Sequence, residues 1–414
     1  LKSFSLYPLS PLCPFCLFAL LYYLYIMNHP ADILTPQERV LLLLCRPDLS
    51  DKEICSLKRY LNEISSWQAM LHIINDHGII ALAWHNLNKY GLIEIVSSAE
   101  REMMHKAYLK NIARNTAIFS LFDEVANIAL KNEIKIIPIK GLLLEKTVYG
   151  NIGLRQMGDL DILVSPEDAM KLRNALISQG FRTIPYISPL HSFFLHSYGK
   201  HMPEMYRNGL NVEIHFRLFR DRHNSFTREM ISRSIQQLPG GNSVTYSPPL
   251  VYHFIYLVKH LRWHEKTGNS QLRLYCDLLF LIARHGKEIL GDELFSLAKR
   301  LKMENELNII LALLEKYFSI HTVRISSIPE YEYDKFIKFL PHPKFNPPEE
   351  RTGTFTEQIE NIEGIHHKVL FSIGMLFPSL TFMKWRYNTG TRLKALLFYP
   401  KRWFDFFRKI FNST

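Results

Sequence analysis

Two aspartates, Asp159 and Asp161, stand at the mouth of an apolar run, Gly158-Asp-Leu-Asp-Ile-Leu-Val164. Carboxylates repel one another and resist burial, so something must compensate them: a cation, basic side chains or solvent. In a strand alternate residues share a face, which turns Asp159 and Asp161 the same way. A second alternating run, Leu210-Asn-Val-Glu-Ile-His-Phe-Arg-Leu218, puts Glu213 and His215 on one face and Val212 and Ile214 on the other. If the two strands are neighbours, Glu213 approaches the aspartate pair, and three carboxylates at one place call for a hard divalent cation such as Mg²⁺ or Mn²⁺. Such ions clamp the attacking and leaving oxygens in phosphoryl or nucleotidyl transfer. Cationic groups lie close in sequence. Lys140 and Gly141 end a preceding strand where a helix begins, a natural phosphate seat, and Arg155 comes just before the aspartates.

The elements that must position these groups can be read from periodicity and punctuation. Residues 36 to 130 repeat apolar positions at helical spacing. At Glu133 the pattern changes to a β-branched stretch closed by Gly141, followed by about two helical turns to Gly150, then the Asp159 strand. Ser165, Pro166, Glu167 and Asp168 punctuate a helix start, and Gly180 closes it. A short strand, a loop rich in histidine and tyrosine and the Glu213 strand follow. From Pro248 the chain is helical again, and residues 340 to 350 are proline-rich. The expected division is an apolar leader, 1–26; a helical region, 27–130; an α/β core, 131–220; a second helical region, 221–339; and a linker with a basic aromatic tail, 340–414. The start is expected at Met27, because prolines interrupt the apolar residues before it and the chain begins with Leu1.

Taken together, Lys140-Gly141, Tyr149-Gly150, Leu154-Arg155, Asp159-x-Asp161, the helix to Gly180-Phe181 and Glu213-x-His215 resemble the polymerase beta-like nucleotidyltransferase superfamily. More narrowly they resemble the bacterial group of uncharacterised nucleotidyltransferases, over roughly residues 35 to 290. The resemblance implies an α+β fold, with a small mixed β-sheet flanked by N-terminal and C-terminal helical regions. It also implies a divalent metal on Asp159, Asp161 and Glu213, and transfer of a nucleoside monophosphate from an NTP, ATP first, to an acceptor with release of pyrophosphate. Two departures stand out: Leu142 follows Gly141 where many members have serine, and the third acid is Glu213 where aspartate is common. They keep open a catalytically inactive nucleotide-binding or regulatory protein of the same fold.

The remaining features are less directive. His260 and His264 share a helical face, but the run His-Leu-Arg-Trp-His lacks the HExxH pattern and a third ligand of fixed spacing. With Lys259 and Arg273 they line the nucleotide or acceptor cleft or simply pack; Arg273 and Asp277 are spaced to pair. The formal charge of +11 suits a polyanionic partner without choosing one. A basic nucleic-acid-binding protein is thus the other alternative, although small-molecule, peptide or protein acceptors fit better, because the basic residues are spread along the chain. The tail could lie on an anionic membrane, stack on nucleic acid or dock on the body. Five scattered cysteines suit a reducing cytoplasm and no disulfide framework.

Overall fold

The computed structural model describes residues 34–219, 225–237, 245–321, 326–343, 359 and 362–411. The leader, with Cys13 and Cys16, and most of the proline-rich linker lie outside them.

Among the described residues the helices α1 (Pro36–Leu44), α2 (Asp51–Asn62), α3 (Trp67–Asp76), α4 (Ile80–Lys89) and the long α5 (Ser98–Lys131) come first. The α/β core follows with β1 (Ile137–Pro138), α6 (Lys140–Leu144), β2 (Asp159–Leu163), α7 (Ala169–Ser178), β3 (Arg182–Thr183), α8 (Pro189–Tyr198), β4 (Met205–Arg207) and β5 (Leu210–His215). After α9 (Ser225–Ser232) and a small hairpin of β6 (Ile235–Gln237) and β7 (Thr245–Ser247) come α10 (Leu250–Lys266), α11 (Leu272–Ile289), α12 (Asp292–Arg300), α13 (Glu304–Phe318) and α14 (Glu330–Phe339). The last helices are α15 (Ile365–Leu376), α16 (Leu380–Arg386), α17 (Arg392–Leu396) and α18 (Tyr399–Phe411). The architecture is α+β.

The main sheet has the order β1-β2-β5-β4-β3. The central pair, β2 and β5, is parallel, and the other pairings are antiparallel, so the sheet is mixed. One face carries Leu160, Ile162, Val212 and Ile214, all fully buried. They pack with the inward stripe of α5 at Ile118, Leu121, Phe122, Val125 and Ala129 and with Leu172 and Leu176 of α7. A second apolar cluster joins α1–α4 to α10–α14, so the first and the late helices share one core.

Three expectations are adjusted. The stretch from Glu133 to Gly141 contributes only the two residues of β1, because Lys140 already begins a helix. Ser165 does cap a turn, its Oγ accepting from the Asp168 N–H at 3.1 Å, but the regular helix starts later, at Ala169. The expected loop rich in histidine and tyrosine holds α8 and β4. Ser188 caps α8 with Pro189 at its first position, and Asn208-Gly209, both at positive φ, turns β4 into β5.

Candidate active site

The parallel register of β2 and β5 sets Asp161 beside Glu213, Asp159 beside Asn211 and Leu163 beside His215. With a side-chain period of two, Asp159, Asp161, Glu213 and His215 all leave the same face of the sheet, opposite the apolar one. Asp161 is buried and Glu213 largely so. The three acids thus leave one face of the sheet, with Asp161 and Glu213 directly paired.

Two cations of the chain itself answer Asp161. The Lys140 ammonium donates to its Oδ1 at 2.6 Å, and His215 Nε2 donates to the same oxygen at 2.8 Å while lying 3.3 Å from Glu213 Oε2. Burial pushes the Asp161 carboxyl up, but Lys140 and His215 outweigh it and hold it below its ordinary value. Glu213 is likewise held low: burial opposes ionisation, and the His215 hydrogen bond and the Lys140 charge overcome it. Asp159 goes the other way. The Asp161 charge, then burial, push it up to about 6, despite Lys140. His215 is raised: burial and Lys140 work against its charge, and the hydrogen bonds to both acids win.

Lys140 reaches this position through an unusual backbone. Its φ is +52°, a left-handed conformation that a β-carbon disfavours. Its N–H donates to Nε2 of His253 at 3.2 Å, and burial holds His253 near 4, so its ring is a neutral acceptor. The next residue, Gly141, is buried; a β-carbon there would stand 2.4 Å from Arg155 Nη1 and 3.1 Å from Met157 Cγ. A side chain there would force the Arg155 guanidinium or the turn to move. Leu142 faces the core under the sheet, so the position after Gly141 brings no polar group to the acids.

Arg155 is placed differently from the expectation that it faces phosphate. Its guanidinium is buried and bidentate on Asp277 of α11, with Nε to Oδ1 at 2.7 Å and Nη2 to Oδ2 at 2.8 Å. Tyr149, from a π-turn over Glu145–Tyr149, donates to the same Asp277 at 2.9 Å. A buried carboxylate of this geometry takes the planar fork of an arginine in preference to solvent. Asp277 is therefore the partner of Arg155 and not of Arg273. Arg273 instead donates to Gln271 and to the Gln156 carbonyl, and its charge helps hold Asp159 down.

The α10 helix forms the opposite wall. Tyr256 and His260 both feel the Lys140 charge, and Tyr256 also feels all three acids. His260 and His264 stack edge to face, 4.5 Å apart, on the same face. Lys259 is half-buried on α10 next to His260. His201 was not singled out by the sequence reading. It bridges His215 across the strand edge with rings 5.5 Å apart, and Glu213 and His201 each shift the other. Its signal was faint, a histidine in a histidine-rich segment, and only the antiparallel return of the chain brings it to Glu213.

Among the described residues, the side chains whose potential ligand atoms all lie within 4.8 Å of one another are Asp161, Glu213 and His215. Two carboxylates, one imidazole and Asp159 on the same face form a donor set that suits Mg²⁺ or Mn²⁺, with the imidazole favouring the latter. The ammonium on Asp161 shows that the pocket already accommodates positive charge.

No curated protein matches this chain. Residues 64–319, well over half of the sequence, match the family model of the uncharacterised nucleotidyltransferases, and the protein belongs to that family.

Proposed function

We propose that this protein is a metal-dependent nucleotidyltransferase that moves a nucleoside monophosphate from an NTP, ATP first, to an acceptor and releases pyrophosphate. The observation that carries this reading is the in-register pairing of Asp161 with Glu213, with Asp159 on the same face and the apolar residues on the other.

Asp159, Asp161 and Glu213 would hold the Mg²⁺ or Mn²⁺ ion, with His215 orienting the Asp161 and Glu213 carboxylates through its hydrogen bonds. When bound, such an ion screens the triphosphate and stabilises charge on the attacking and leaving oxygens. The acceptor oxygen attacks the α-phosphorus, the bond to the β-phosphate oxygen breaks, and pyrophosphate departs. Glu213, kept ionised by His215, is placed to take the acceptor proton where it does not serve as ligand. Lys140, and Lys259 from α10, would neutralise charge on the bound triphosphate. Gly141 lets the turn that carries Lys140 pack against Arg155 and Met157. Arg155, held by Asp277, contributes by supporting the turn beneath Gly141. A small molecule, a peptide or a protein side chain is the acceptor class that fits best.

The test is incubation with each α-labelled NTP, Mg²⁺ and a cell extract, following label into any component. Asp161→Asn should lower transfer by at least about a hundredfold, the scale of removing one preorganised charge from a transfer site. Full activity in that variant sinks the assignment. NTP binding with no labelled product makes the chain a nucleotide-binding protein instead.

A further inference from the structure

The last helices carry a surface that the transfer chemistry does not use. They are tied to the body from within. Gly374 of α15 packs against Leu190 and Ser188 at the start of α8, Trp403 Nε1 of α18 donates to the Leu376 carbonyl at 2.8 Å, and Phe406 is buried. The exposed sides of α17, of the residue that ends it and of α18 nonetheless carry large apolar side chains beside basic ones. Leu393 and Leu397 are 77% and 78% exposed, and Phe404 and Phe407 are 66% and 45% exposed. On α18 the outward stripe of Phe404 and Phe407 is flanked by exposed Lys401 and Arg408, with the anchoring Phe406 on the other side. Residues 365–411 contain nine lysines and arginines and a single acid, Asp405, which is +8 of the chain's +11.

We propose that this face lies on an anionic lipid bilayer, with Phe404, Phe407, Leu393 and Leu397 entering the headgroup boundary and the lysines and arginines meeting lipid phosphates. Exposed apolar side chains ringed by basic ones are the pattern of an interfacial helix. Charge decides against a second copy of the chain, because the same cations would face each other across the interface. Leucines this exposed have no use on a nucleic acid, where aromatic stacking and phosphate contacts bind. No described helix is long and apolar enough to cross a membrane, so the contact is one of lying on the surface.

The full chain is sedimented with vesicles of phosphatidylcholine containing phosphatidylglycerol and, separately, of phosphatidylcholine alone. Binding should be at least about tenfold tighter to the anionic vesicles and weaken as salt screens the charges. The Phe404→Ser/Phe407→Ser pair should abolish binding. Lys401→Glu/Arg408→Glu should weaken it by roughly 25-fold or more, at about fivefold per basic residue near the surface. Because these side chains point outward, circular dichroism and thermal midpoint should stay at the wild-type values; were the phenylalanine pair to misfold, the charge pair alone decides. Equal binding to neutral vesicles, undiminished binding by the folded variants, or self-association lost in those variants without lipid would overturn the proposal.

Discussion

Among the three acids of the site, Asp159 is the one whose protonation the fold distorts upward; outside that trio, burial takes Glu145 further, to about 8. The folded value of Asp159, about 6 against an ordinary 3.8, means that the native state holds this proton more tightly than the unfolded chain does. The stability contributed by the protonated form is therefore present below about pH 4 and lost as pH rises through about 6. Two units correspond to about 3 kcal/mol at most. Without divalent cation at pH 7.5, Asp159→Asn should be about 1–3 kcal/mol more stable than wild type in urea unfolding, and the gap should close near pH 4. Added Mn²⁺ or Mg²⁺ should raise the wild-type thermal midpoint at pH 7.5 and do so much less at pH 5, since a ligand carboxylate must be deprotonated. A variant no more stable than wild type at pH 7.5 would remove the repulsion that the cation is proposed to relieve. At this scale much of the site was legible. The alternation through Asp159, Asp161, Glu213 and His215 can be read directly from the order of residues. The partner of each cation could not be read, because it depends on which distant helix closes over the turn. Arg155 lies four residues from Asp159 in sequence, yet it is claimed by Asp277, 122 residues away.

At the level of elements, the turn from β1 into α6 is the most tightly specified piece of the site. Lys140 is held in a left-handed conformation, and Gly141 is pressed against the Arg155 guanidinium. Gly141→Ala should displace that guanidinium from Asp277 or push the turn outward, costing about 1–3 kcal/mol. Denaturant unfolding checks the cost, and a parallel loss of transfer would show that the turn also sets the position of Lys140. Gly141→Ala at wild-type stability would mean that the contact relaxes freely. The same scale shows where periodicity ran out. The strands bearing acids announced themselves by alternation and the long helices by their stripes. The helix α8 was hidden by its histidines and aromatics, although Ser188-Pro189 is a start signal, and β4 was hidden by its length, although Asn208-Gly209 marks a hairpin. The α10 face toward the acids has visible spacing, His253, Tyr256 and His260, but nothing local says what it faces.

For the molecule as a whole, burial lowers several histidines among the described residues, and three of them reach about 4. His77 joins α3 to the late helices, its Nε2 paired with the Leu340 carbonyl at 2.7 Å; His191 sits in α8; His253 supports Lys140. Burial holds each near 4 instead of 6.5. A depressed folded value for a base means stability present above pH 6.5 and lost as pH falls toward 4. Each can contribute about 3 kcal/mol over that range, so the three together exceed the opposing effects of Asp159 and of Glu145, which burial raises to about 8. Acid unfolding should accordingly have its midpoint between pH 4 and 6.5, followed by circular dichroism; a fold intact at pH 4 would contradict the burial of these rings. The parallel pairing of β2 with β5 has a further consequence, for the making of the protein. Asp161 and Glu213 are partners in the sheet but 52 positions apart, separated by α7, β3, α8 and the hairpin. A polypeptide still emerging from the ribosome has its aspartates long before it has their neighbour. The acidic cluster thus cannot assemble in the nascent chain until the excursion has closed and β5 has been laid down.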